Sequence, residues 1–154
     1  MLKFLFSNET AVAVNKVIFV KIVAVFEKTL AAGVKRVLGD QKGEISLTLA
    51  DDKKIKFLNS KYRKIDKPTD VLSFAYIEGK KMATSKNAAV QAGDIFISVD
   101  MAKRQAKEHA HSLEKELCVL FTHGLLHLFG FDHKNSLEEA KMEKFSKKIL
   151  EHIF

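Results

Sequence analysis

The chain has 154 residues, 47% apolar and 29% charged, a balance that excludes a disordered polyelectrolyte and is enough for one hydrophobic core. Twenty-six Lys and Arg against 19 Asp and Glu leave a formal charge of +7, which favours polyanionic partners such as nucleic acid or an anionic membrane surface. The only cysteine, Cys118, excludes an intrachain disulfide and fits a reducing cytoplasm.

From Met1 to Asn8 the apolar run is too short for a signal peptide. The longer run from Ala11 to Phe26 is interrupted by Asn15, Lys16 and Lys21, so no membrane span is expected. Leu2 to Phe6, aromatic-rich and ended by Ser7-Asn8, reads as a first strand. Asn8 or Thr10 is expected to cap a long helix from about Ala11 to about Leu38. Apolar residues nearly encircle its axis, which predicts heavy burial or cover on two sides. Glu44 to Leu49 alternates polar and apolar, as a half-buried strand does. Asp51 and Asp52 supply a cap and first-turn charge for a helix through Ile55, Leu58 and Tyr62.

Arg63 to Asp70 is a loop holding the only proline, Pro68. Val71 to Ile77 reads as a buried strand, Glu78 to Gln91 as a surface loop or flap, and Gly93 to Ser98 as a further strand. A helix is expected from about Asp100 to His109 and a longer one from about Ser112 to Phe129. Ser136-Leu137-Glu138-Glu139 opens a last helix, amphipathic through Leu137, Met142, Phe145, Ile149 and Ile153. Four short strands interspersed with about five helices indicate one domain of mixed α and β structure, residues 1–154, with the strand order open.

Chemistry concentrates in Thr122-His123-Gly124-Leu125-Leu126-His127-Leu128-Phe129-Gly130-Phe131-Asp132-His133. Residues four apart share a helix face, so His123 and His127 can aim at one point. Gly130 suits a left-handed helix end, after which the returning chain brings His133 to the same point. Three neutral imidazoles suit a zinc-type ion and leave a coordination position for water, an arrangement for catalysis rather than scaffolding. Cys118, about 140° around the helix from His123, is assigned to the core. The spacing also matches the zinc-peptidase pattern H-E-x-x-H-x-x-G-x-x-H, except that Gly124 stands where that pattern has its general base. A missing general base typically costs about 100- to 10,000-fold in rate, so a protease is the weaker alternative.

The second concentration of functional residue types lies around Arg63. Its planar, permanently charged fork suits a phosphate. Asn59 is one turn earlier on the same face, Lys61, Lys64 and Lys67 add positive potential, and Tyr62 is suited to stack on a base. A solvated basic helix end explains the same residues equally well.

Leu58-Asn59-Ser60-Lys61-Tyr62-Arg63 followed by Pro68-Thr69-Asp70-Val71-Leu72-Ser73-Phe74 resembles the first signature of the YbeY family of bacterial rRNA maturation endoribonucleases. Gly93 to Ser98 resembles that family's next block, and His123 to His133 its closing metal motif, glycine included. Ala75 stands where the family often has proline, and Phe131 where tyrosine is common, which removes a hydroxyl near the metal. The resemblance implies an α+β metallohydrolase in which His123, His127 and His133 bind one Zn2+ per chain and Arg63 acts in a cleft beside it. It implies single-strand-specific cleavage of RNA in 16S rRNA 3′-end maturation and ribosome quality control. Contacts with the small ribosomal subunit and its assembly factors, and a cytoplasmic location, are implied too; DNA and membrane partners are not. Asp132 either orients an imidazole or caps the turn, and Asp70 either anchors Arg63 or shapes its loop. Water attack and attack by the RNA 2′-hydroxyl both stay open, with no general base named. The rivals are a zinc metalloprotease-like hydrolase and a non-catalytic ribosome-assembly protein with structural zinc.

Overall fold

The structure is a computed structural model and describes residues 2–77, 89–132 and 134–154. Leu2–Asn8 forms strand β1, two residues longer than expected. The long helix expected from Ala11 does not form. Asn8 instead closes a local turn: its Oδ1 accepts from the Thr10 N–H and hydroxyl at 2.9 and 2.7 Å, and its Nδ2 donates to the Val12 carbonyl. Helix α1 starts six residues later, over Val17–Thr29, with Asn15 Oδ1 accepting the Val17 N–H. Leu30, at φ −118° and ψ 34°, then breaks the run, and α2 covers Ala31–Leu38. The heavy burial or two-sided cover expected of this helix is also corrected. Phe19, Ile22, Val23 and Phe26 form one buried stripe, while Val17 and Val20 stay half exposed.

Gly43–Ala50 forms β2, whose alternate residues Ile45, Leu47 and Leu49 are fully buried, as the sequence alternation predicts. Asp51 caps α3, Asp52–Arg63, by accepting the Lys54 N–H. The strand after the loop, β3, spans Val71–Ala75, shorter and less buried than expected because it lies at a sheet edge. Of the expected loop Glu78 to Gln91, residues 78–88 lie outside the described residues, while Val90 and Gln91 begin β4, Val90–Ser98. Helices α4 (Val99–Glu108), α5 (Leu113–Leu128) and α6 (Ser136–Leu150) follow. Ser112 caps α5 and Asn135 caps α6. The cap is thus Asn135, one residue before the expected opening at Ser136, and Leu137, expected on the amphipathic stripe of α6, is 79% exposed. The count is four strands and six helices among the described residues, the extra helix coming from the break at Leu30.

The sheet order is β1-β2-β4-β3, with β1, β2 and β4 parallel and β3 antiparallel to β4. Side chains alternate across the strands, and this divides the interior. One face of the sheet meets α1 and α5 in the main core, where Phe19 and Phe121 pack edge to face at 5.5 Å. The other face holds a small cluster of Ala50, Ile55, Leu58 and Leu72 under α3, with Phe74 and Phe96 against it. Val71, Ser73 and Ala75 consequently face the α5 side, and Leu72 and Phe74 the α3 side. Among the described residues no helix is long and apolar enough to cross a membrane.

At the junction of β4 and α4, Asp52 accepts from the Ser98 hydroxyl at 2.6 Å and from Arg104 at 2.7 Å. Burial alone would raise the Asp52 pKa, but these two partners outweigh it and hold the carboxyl below its ordinary 3.8. A depressed folded-state pKa gives stability that is present above the unfolded value and lost as pH falls through the folded one. Asp52→Asn is therefore expected to lower stability at neutral pH by about 1 kcal/mol. Denaturant melts should show the difference from wild type closing below pH 3.8. A gap that persisted in acid would exclude the carboxylate as its source.

Candidate active-site cleft

Helix α5 positions its two histidines by plain helical spacing. Four residues apart, His123 and His127 share the face that looks along β3. The helix ends at Phe129, and Gly130 takes φ +99°, the conformation expected of it. The reversed chain returns the Phe131 N–H to the Leu126 carbonyl at 3.0 Å. It also sets the Phe131 carbonyl 2.9 Å from His127 Nδ1. A carbonyl only accepts, so Nδ1 carries the proton and the ring's remaining lone pair is on Nε2. That is the tautomer of an imidazole prepared to ligate a metal.

Arg63 arrives from the opposite side of the sheet. It is the last residue of α3, and Lys64 ends that helix in the left-handed region at φ 62°. The Arg63 side chain passes the edge strand with its guanidinium 5.7 Å from the Phe74 ring centre and donates to the Ser73 carbonyl at 3.1 Å. Because β3 is an edge strand, that carbonyl has no neighbouring strand to satisfy it. A residue rooted on one face of the sheet thus delivers its charge to the other.

The result is one cleft of about 680 Å3, lined by Arg63, Ser73, Leu120, His123, His127 and Asp132 among others. Arg63, His123 and His127, separated by some sixty residues of chain, are brought together. His133 lies outside the described residues. Asp132 lies on the cleft wall with its carboxylate 4.0 Å from Lys134.

The remaining residues of the Arg63 region divide by role. Asp70 also borders the cleft, but its carboxylate accepts from the Val71 N–H at 2.7 Å and from Gln105 at 3.3 Å, which shapes the loop. Asn59 is 3% exposed and donates to the Lys67 carbonyl at 2.9 Å, so it ties the loop to α3 from inside. Tyr62 is exposed and packs edge to face on Phe74. Phe131 packs on Phe145 at 5.4 Å, and its contact with His127 runs through the backbone, which the absent hydroxyl does not affect. Cys118 is fully buried, and burial pushes its thiol up to about 12, as befits a core residue.

At Gly124 the peptidase pattern meets a close helix–sheet contact. A Cβ built there would lie 3.0 and 3.1 Å from the Ile95 methyls and 3.2 Å from the Ser73 hydroxyl. The position faces the sheet, so a glutamate there would have to displace Ile95 and Ser73.

A different trio carries metal-ligand chemistry that the sequence reading passed over. Around the α4–α5 corner, ligand atoms of His109, His111 and Glu116 all lie within 4.8 Å of one another. Its sequence signal is a H-x-H-x4-E spacing across a helix break, unlike the single-helix pattern of His123 and His127.

Comparison with known proteins agrees with this architecture. The profile of the Endoribonuclease YbeY family matches residues 8–154. A protein of that name from Heliobacterium modesticaldum is 49% identical over 112 residues, covering 70% of this chain and 68% of the relative. Another, from Agathobacter rectalis, is 39% identical over 142 residues and covers 84% and 86% of the two chains. The solution structure of TM1509 from Thermotoga maritima superimposes with a TM-score of 0.60 over 97% of this chain and 91% of its own, at 24% identity, which speaks for the fold. Spanning nearly the whole sequence, the profile match and these identities make the chain a member of the endoribonuclease YbeY family.

Proposed function

We propose that this chain is a metal-dependent endoribonuclease that cleaves single-stranded RNA and acts in rRNA processing, specifically 16S rRNA 3′-end maturation and ribosome quality control. Its relatives carry the name endoribonuclease, and the observation that carries the reading here is a cleft bordered jointly by Arg63, His123 and His127. In this reading residues 1–154 act as one metallohydrolase domain in the cytoplasm, with the small ribosomal subunit and its assembly factors as partners and neither DNA nor membrane among them.

The donor set fits a zinc-class ion: His127 directs Nε2 by donating Nδ1–H to Phe131, and His123 shares its helix face. His123 and His127, with His133, are the residues assigned to hold one Zn2+ in the cleft. When bound, such an ion supplies Lewis-acid polarisation of a phosphoryl oxygen and lowers the pKa of water towards about 7. The chain's own part is electrostatic and positional. One Arg63 N–H is used on Ser73, and a guanidinium has five, so donors remain for two oxygens of a phosphate. A fixed cation aimed where negative charge accumulates suits phosphodiester cleavage better than peptide cleavage.

The test is cleavage of a defined single-stranded RNA by wild type, His127→Ala and Arg63→Ala purified identically. Loss of turnover in both variants, with folding retained, is expected. Undiminished cleavage by both would assign the activity to a contaminating nuclease and sink the reading.

A further inference from the structure

We propose that His109, His111 and Glu116 form a second divalent-cation site of zinc class, separate from the cleft and fastening the α4–α5 corner. Glu116, in the first turn of α5, is 1% exposed, deep for a carboxylate. Two imidazoles meet it. His109 Nδ1 lies 3.2 Å from Glu116 Oε2, and His111 Nε2 contacts the same oxygen. Two imidazoles and one carboxylate are a donor set that zinc uses, with a fourth position left for water.

Binding needs local re-spacing by ring rotation, because His111 Nε2 sits closer to Glu116 Oε2 than two ligands of one ion do. Zinc bonds of about 2.0–2.1 Å in a tetrahedral site put neighbouring ligand atoms roughly 3.3 Å apart. The 3.2 Å separation of His109 from Glu116 is already of that size, and all three ligand atoms fall within 4.8 Å. Binding requires each imidazole to carry its proton on the nitrogen facing away, a tautomer change that leaves the backbone in place.

Backbone structure holds the trio in this arrangement. The His109 N–H caps α4 on the Gln105 carbonyl at 2.9 Å, and the His111 N–H returns to the Ala106 carbonyl at 3.1 Å. Between them Ala110 takes φ 53°, a left-handed conformation that strains a residue with a Cβ. This reversal turns both rings onto one carboxylate. Ser112 then caps α5 and fixes its first turn. The site also opens outward: the His109 side chain is 56% exposed, and a cavity of about 340 Å3 borders His111, giving a water room to bind. Lys103 and Lys107 on the wall of that cavity oppose a bare cation and favour a hydroxide or other anion in the fourth position.

The spacing on α5 separates this site from the cleft. Glu116 and His123 are seven residues apart, two turns, so they share a face with about 10 Å between them. Paired catalytic metals sit about 3.5–4 Å apart. The second ion is therefore no half of a paired catalytic centre; held by Glu116, it anchors the start of the helix whose later turns carry His123 and His127.

The experiment counts ions in the metal-stripped full chain after Zn2+ loading and desalting, for wild type, His109→Ala, His127→Ala and the double variant. His109 is largely exposed, so its replacement is expected to leave the fold intact, checked by circular dichroism. Two ions per chain in wild type, one in each single variant and none in the double variant are expected. Zinc should also raise the melting temperature of His127→Ala and leave that of the double variant unmoved. Any wild-type count that His109→Ala leaves unchanged overturns the proposal. A single wild-type ion, lost in His109→Ala and kept in His127→Ala, upholds this site while removing the metal from the cleft.

Discussion

Replacing Arg63 by alanine is expected to lower kcat on single-stranded RNA by about 100- to 1,000-fold, the range observed when one preorganised donor to developing charge is removed. The structure predicts this effect without a matching loss of fold. Arg63 is exposed, makes one hydrogen bond to Ser73 and stacks on Phe74. Together these contribute about 1 kcal/mol. Arg63→Lys separates charge from geometry. Lysine restores the charge as a single point but not the planar fork, so it should recover only part of the rate. Single-turnover cleavage of a defined RNA, beside thermal melts of the three proteins, checks both halves. Equal turnover by Arg63→Ala, or a loss of rate that tracked a loss of stability, would remove Arg63 from the chemistry.

Arg63 also shows what a sequence reading reaches. Its residue type suited a phosphate no better than a solvated helix end, and nothing near it in the chain says that it crosses a sheet edge. That follows from β3 being at the edge and antiparallel to β4, a pairing between strands whose intervening residues carry no register signal. The Gly130 turn was legible because it is local: a helix end and a left-handed residue lie within four positions of His127. The break at Leu30 and the delayed start of α1 were not. Hydrophobic periodicity continues through both places, and Asn8 decides the outcome by a turn to Thr10 and Val12 that competes with helix capping. The trio at the α4–α5 corner escaped for a further reason. Its ligands straddle a helix break, so a search for ligands spaced along one helix face does not assemble them.

Gly124→Glu, which would complete the peptidase signature, is expected instead to unfold the protein or weaken it by at least about 3 kcal/mol. The first added carbon already meets Ile95 at 3.0 Å and Ser73 at 3.2 Å. A methyl alone asks those neighbours to yield by a few tenths of an ångström, and the better helix propensity of alanine, about 1 kcal/mol, offsets that cost. Gly124→Ala should therefore remain close to wild type. Glutamate adds a longer chain and a charge to the contact where α5 lies on β3 and β4. For a chain of this length the loss corresponds to a fall of about 6–12 °C in melting temperature. Scanning calorimetry of both variants measures the contrast, with peptidase assays run on the same samples. A stable Gly124→Glu protein that cleaved peptide bonds would show that α5 can lift from the sheet. It would return the protease to contention. Loss of stability with glutamate but not with alanine would mean that the glycine serves helix–sheet packing.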